Sequence, residues 1–229
     1  MRAYLIPGLG TDGRIFRNLL LQFDFEEVHF LDYREEITKN STGIADYAYS
    51  ISKEIINDSN SIIIGLSLGG IVATELSKLL PESKIVLISS IKNQNEAPSI
   101  LKVARLLPFF NFVPVWFSRN VVPFMSRISR VTDKEGYHLY RQMLKGWTAG
   151  KLKWARKSAV NWKNPDSLNC LHIHGTRDYI FPHHKIKNAV LIEEGSHYMI
   201  MDRAEEIARI IKETYSADFL NPSLSTSNI

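Results

Sequence analysis

The stretch Ser61-Ile62-Ile63-Ile64-Gly65-Leu66-Ser67-Leu68-Gly69-Gly70-Ile71-Val72-Ala73 constrains the fold of this chain more than any other. A short apolar, β-branched run ends in Gly-x-Ser-x-Gly-Gly and passes directly into helix-forming residues, which implies a buried strand, a sharp turn and a helix. Glycines on both sides of the turn, Gly65 and Gly69, permit a strained backbone and a close approach of strand to helix. The turn points the Ser67 hydroxyl outward, and the helix N-terminus behind it favours developing negative charge. The pattern alone is weak, since with Gly and Ser each at about 7% of residues it arises by chance in roughly one chain of this length in fifteen. A glycine-rich turn that merely packs a helix onto a strand would read the same.

Two downstream segments separate these readings. Leu171-His172-Ile173-His174-Gly175-Thr176-Arg177-Asp178 reads as a short strand ending at Gly175, with a carboxylate three residues beyond. Ala189-Val190-Leu191-Ile192-Glu193-Glu194-Gly195-Ser196-His197 is another apolar run closed by glycine, with a histidine in the loop before a helix over 203–215. Serine, aspartate and histidine, each just past the carboxyl end of a strand and in that chain order, form a known nucleophile–acid–base arrangement. The strand ending at Ser89 is followed by no aspartate, and Asp202 lies too close to His197 to orient it.

Short apolar runs alternate with helical patterns along the chain, the signature of a parallel sheet covered on both faces. Strands are expected near 2–6, 27–31, 61–65, 84–89, 169–174 and 189–193, and helices near 13–22, 42–57, 68–80 and 203–215. The helix over 42–57 carries a one-sided stripe of Ile44, Tyr47, Ala48, Ile51, Ile55 and Ile56. This is an α/β chain with a doubly wound, mainly parallel, six-stranded sheet. Almost eighty residues separate the strand ending at Ser89 from the one near Asn169, far too many for a plain connection.

With Pro7-Gly8-Leu9-Gly10, Gly65-Leu66-Ser67-Leu68-Gly69-Gly70, Gly175-Thr176-Arg177-Asp178 and Gly195-Ser196-His197 in place, the chain resembles the α/β-hydrolase superfamily from Met1 to about Tyr215. The resemblance implies a core over 1–95 and 165–218, an inserted helical cap over 96–164, and a tail at 219–229 whose composition reads as disordered. It also implies that Ser67 is the nucleophile, His197 the general base and Asp178 the residue that orients it. The oxyanion donors would be the backbone N–H groups of Leu9 and Leu68, with Gly65 and Gly69 shaping the elbow. Two departures stand out. Relatives usually carry a loop-supporting histidine where this chain has Pro7, and they fit a helix into the interval from Asp178 to His197, which here is short and interrupted at Pro182-His183-His184.

A serine nucleophile excludes the dehalogenase and epoxide hydrolase chemistry that uses aspartate at this position. The chain looks like small bacterial serine carboxylesterases, which implies cleavage of a carboxylic ester through an acyl-enzyme. A thioesterase, or a C–C hydrolase or lyase with the same triad, stays open, as does a non-catalytic binding protein of this fold. The stretch from Lys92 to Lys163, which spans most of the cap, carries fourteen Lys and Arg against three acidic residues, in a chain whose net charge is +4. An anionic substrate, an acidic carrier protein (as in the pimeloyl-carrier methyl esterase type) or a membrane surface would be drawn to such a lid, and solvated helix faces would produce the same count. No nucleic-acid motif accompanies the basic residues.

The cap is also rich in aromatics, among them Phe109, Phe110, Phe112, Trp116, Phe117, Phe124, Trp147, Trp154 and Trp162, which would either wall an apolar pocket over Ser67 or, as the commoner role, attach the lid to the body. No phosphate loop or dinucleotide fingerprint implies a cofactor, and His172 and His174 lack the companions of a metal site. The single cysteine, Cys170, reads as a small core residue at a strand start. No stretch approaches the ~20 apolar residues of a membrane span, and a strand beginning at Arg2 leaves no room for a signal peptide. The expected location is cytoplasmic.

Overall fold

The computed structural model describes residues 1–99, 134–166 and 168–216. Strand β1 (Arg2–Ile6) leads through a 3-10 turn (Gly13–Phe16) and helix α1 (Arg17–Leu20) to β2 (Glu27–Phe30). Helices α2 (Glu35–Asn40) and α3 (Ile44–Ser52) then precede β3 (Ser61–Leu66), α4 (Leu68–Leu79) and β4 (Lys84–Ile88). After residues 100–133 come α5 (Lys134–Lys145), α6 (Ala149–Asn161), β5 (Leu171–Gly175) and β6 (Val190–Ile192), and α7 (Met199–Asp202) and α8 (Ala204–Thr214) end the described chain.

The six strands form one sheet in the order β2-β1-β3-β4-β5-β6, and every pairing is parallel. All six expected strands are present. Central β3 is buried along its whole length, as a strand covered on both faces must be, whereas edge strand β2 is exposed at every position. With the right-handed crossovers that parallel strands take, the chain passes from β1 outward to β2 over one face, and from β2 back to β3 and on to β4 over the other. Thus α3 packs on α4, while α1 meets α7 and α8. The winding direction reverses between β1 and β3, and the register pairs Ile6 with Gly65 there. The crevice beyond the carboxyl ends of two such strands is where an open α/β sheet places its site.

Helix α3 is shorter than its stripe suggests. It ends at Ser52, and the Ile56 N–H turns to donate to the buried Tyr4 hydroxyl at 3.1 Å, leaving the Ile56 side chain exposed. Helix α2 has no counterpart among the expected elements: six residues with a single aliphatic side chain, Ile37, are too few to show a period. Between Asp178 and His197 only a 3-10 turn, His183–Lys185, remains of the helix relatives carry. The expected disordered tail at 219–229 and the cap segment 100–133, with Pro108, Pro114, Pro123 and the aromatics from Phe109 to Phe124, lie outside the described residues.

Candidate active site

Ser67 sits between β3 and α4 with φ +52° and ψ −115°, a region that side-chain-bearing residues rarely occupy. The neighbouring backbone holds it there. Its N–H donates to the Ile88 carbonyl at 3.0 Å, and its carbonyl accepts from Gly70 N–H at 3.0 Å and from the Ser90 hydroxyl at 2.7 Å. The elbow closes only because its flanks lack side chains. A Cβ on Gly65 would stand 2.4 Å from the Gly69 carbonyl oxygen, and one on Gly69 would stand 2.0 Å from the Ile6 carbonyl oxygen.

The β5–β6 end brings the other two residues to this serine. His197 Nε2 lies 2.9 Å from Ser67 Oγ, and His197 Nδ1 lies 2.8 Å from Asp178 Oδ2. A carboxylate can only accept, so the imidazole proton is on Nδ1, and Nε2 is left as the acceptor for the serine hydroxyl. The other carboxylate oxygen, Oδ1, accepts the N–H groups of Ile180 and Phe181, both at 2.8 Å. Asp178 and His197 are buried, Ser67 is partly open, and the Phe181 ring stands edge-on to His197 with centroids 5.5 Å apart. The three residues expected to act together do converge.

His174, whose sequence surroundings argue against a metal site, is a further neighbour of the Asp178–His197 pair. Its Nε2 donates to the Phe181 carbonyl at 2.7 Å and stands 3.5 Å from Asp178 Oδ2, an electrostatic contact rather than a hydrogen bond. His172 donates through Nε2 to the Ser90 carbonyl at 3.1 Å. Burial pushes both imidazoles down, His172 to about 3 with help from the adjacent His174, so both are neutral. Among the described residues, no three His, Cys, Asp or Glu side chains gather where they could hold an ion. Cys170 lies one residue ahead of β5, half-buried, and burial raises its thiol to about 11, which makes it a poor nucleophile.

The loop after β1 touches the elbow. Gly8 packs on Ser67, since a Cβ there would fall 3.3 Å from the serine Cβ. Thr11 closes a turn by donating its N–H and its hydroxyl to the Gly8 carbonyl at 3.2 and 3.0 Å, with Gly10 at φ +80°. That is the geometry of a type II turn, in which the second residue, Leu9, does not use its N–H in the turn's own bond. Leu68 opens α4, so its N–H is among those that an α-helix leaves unpaired at its start.

Helix α5 closes over the loop after β1, α6 packs on α2 and α4, and the segment is tied to the body by indole N–H groups. Trp147 donates to the Thr11 carbonyl at 2.9 Å, Trp154 to the Ser41 carbonyl at 3.2 Å, and Trp162 to Glu75 Oε1 at 2.7 Å. The three tryptophans of this region that the structure describes therefore do attach it to the body. The basic count divides. Arg141, Lys145, Lys153, Lys157 and Lys163 are exposed, whereas Lys92 is buried and donates to the Lys187 carbonyl at 2.6 Å. Among the described residues no helix is long and apolar enough to cross a membrane.

A family model described as "Alpha/beta hydrolase family" matches residues 3–210. Solved structures share the fold at low identity. The esterase EaEST from Exiguobacterium antarcticum is 11% identical over 93% of this chain and 91% of its own, with a TM-score of 0.68. The hydrolase olei00960 from Oleispira antarctica is 17% identical over 93% and 90%, with a TM-score of 0.67. A thermophilic esterase from Thermogutta terrifontis is 14% identical over 96% and 90%, with a TM-score of 0.66. No curated protein matches the chain.

Proposed function

The chain belongs to the alpha/beta hydrolase family, and we propose that it is a serine hydrolase that cleaves a carboxylic ester through an acyl-enzyme. The observation that carries this reading is the continuous path from Ser67 Oγ to His197 Nε2 at 2.9 Å and from His197 Nδ1 to Asp178 at 2.8 Å. Ser67 Oγ attacks the ester carbonyl carbon while His197 Nε2 takes the hydroxyl proton, and Asp178 stabilises the imidazolium that forms. The carbonyl oxygen becomes an oxyanion facing the N–H groups of Leu9 and Leu68. Collapse of the tetrahedral intermediate breaks the C–O bond, and His197 returns its proton to the departing alcohol. Water then repeats the sequence on the acyl-enzyme, releasing the acid and restoring Ser67.

Structural neighbours named as esterases share this fold and fit this choice. The exposed cations on α5 and α6 support an acyl group that is anionic or borne on an acidic carrier, with 96–164 as the cap that receives it. The test is hydrolysis of p-nitrophenyl esters from acetyl to palmitoyl, alongside acyl chains ending in carboxylate, by the wild type and by Ser67→Ala. The wild type should turn over esters, label with a fluorophosphonate probe, and lose both properties on substitution, with at least a ~10³-fold fall in kcat/KM. A folded wild type inert to every ester and to the probe would sink the hydrolase reading and favour a binding protein. Activity confined to thioesters would redirect it to that class.

A further inference from the structure

Building on the serine-hydrolase reading, we infer that Trp147 is a positioning residue for the oxyanion donor at Leu9, acting through Thr11. A backbone amide stabilises an oxyanion only if it is already held within a fraction of an ångström of its working position. The loop that carries Leu9 has little of its own to hold it. Pro7 has no N–H to tie it to the sheet, and Gly10 adds no side-chain restraint at φ +80°. The one internal clasp is Thr11, whose N–H and hydroxyl both close on the Gly8 carbonyl.

Thr11 is itself clasped from outside. Its carbonyl accepts the Trp147 indole N–H at 2.9 Å, and both residues are buried, at 2% and 4% exposure. Without that donor the Thr11 carbonyl would be a buried acceptor with no partner from the indole, and the loop would gain by rotating it toward water. Such a rotation turns the Gly8–Thr11 unit and the Leu9 amide with it. The indole is a firm anchor because the Tyr33 ring lies 5.2 Å from it and the Lys151 ammonium 5.6 Å over its face. From α5, Tyr140 and Leu144 close over Gly10, where a Cβ would meet them at 3.0 and 3.1 Å. One side of the oxyanion loop is therefore set by Ser67 and the other by the helical segment inserted between β4 and β5.

The substitution Trp147→Phe keeps an aromatic ring, removes the N–H and shrinks the side chain by three heavy atoms, so Thr11→Val is the companion variant that leaves the indole in place. For a p-nitrophenyl ester that the wild type hydrolyses, kcat should fall roughly 10- to 100-fold with KM within about twofold. Inhibition by a trifluoromethyl ketone, whose hemiketal oxyanion occupies the same hole, should weaken by the same factor, while the pH profile of kcat/KM keeps its shape because the triad is untouched. Thr11→Val, which removes the hydroxyl clasp at nearly constant volume, should act in the same direction even if Trp147→Phe fails to fold. The double variant should lose less than the two singles together, as residues on one path do. A folded Trp147→Phe with wild-type kcat, or with reduced turnover but unchanged ketone affinity, overturns this inference alone. A wild type with no esterase activity overturns the hydrolase reading and takes the inference with it.

Discussion

Asp178 shows how much of the proposed chemistry rests on the type of a single atom. Its Oδ1 is occupied by the N–H groups of Ile180 and Phe181, so Oδ2 is the oxygen turned to His197. In Asp178→Asn the amide oxygen would stay with those two N–H groups, and the amide nitrogen would face His197 Nδ1. Two donors cannot bond each other, so the imidazole would move its proton to Nε2 and lose the lone pair that accepts from Ser67. The variant should fold normally, with kcat lower by about 10⁴-fold. A loss below tenfold would mean that another group orients His197. The convergence of Ser67, His197 and Asp178 is legible in the sequence because the proposed acyl chemistry demands particular residue types just past strand ends. His174, which braces the same turn through the Phe181 carbonyl, could be placed on its strand but not assigned that contact. Alternation along a strand tells which face a side chain takes, not what lies on that face.

Among the elements, α6 and the segment after it are held by polar contacts as well as by apolar area. Leu152 and Ala155 of α6 belong to the same core as the sheet, so this part of the inserted segment is continuous with the body. Beyond α6, the Trp162 N–H reaches Glu75 Oε1 on α4 at 2.7 Å, and Lys78 approaches the other carboxylate oxygen at 3.0 Å. Glu75 is only 8% exposed, so removing the indole donor leaves a largely buried carboxylate short of a partner. Trp162→Phe should therefore cost about 1.5–3 kcal/mol, which for a domain of this size lowers Tm by roughly 3–12 °C. A melting curve that superimposes on the wild type would remove this contact from the account. The sequence exposed the periodic elements and hid the short or context-bound ones. Helix α3 shows through its stripe, yet the chain just past it is held by the Tyr4 hydroxyl, which accepts the Ile56 N–H from 52 positions away. The Trp147–Thr11 contact spans 136 positions and leaves no local pattern at either end.

Over the whole molecule, the sheet order that puts the winding reversal between β1 and β3 also buries two histidines under the β4–β5 end, and this gives the fold a distinctive acid response. His172 and His174 are neutral in the folded state because burial disfavours their charged forms, and Lys92 adds to the effect at His172. In the unfolded chain both titrate near the ordinary histidine value of about 6.5. A base whose folded pKa is lowered binds more protons when unfolded, so stability is fully present above about pH 6.5 and declines as pH falls. For His172 that decline continues to about pH 3, and at its steepest each such group contributes about 1.4 kcal/mol per pH unit. The urea midpoint should therefore drop between pH 6.5 and 4.5 at constant m-value. His172→Gln keeps a donor for the Ser90 carbonyl and removes one titration, so its midpoint should vary less over the same interval, even if it starts lower. Parallel pH dependences for the variant and the wild type would show that His172 is already protonated in the folded protein, and the neutral, carbonyl-bound histidine described beside β4 would have to be abandoned.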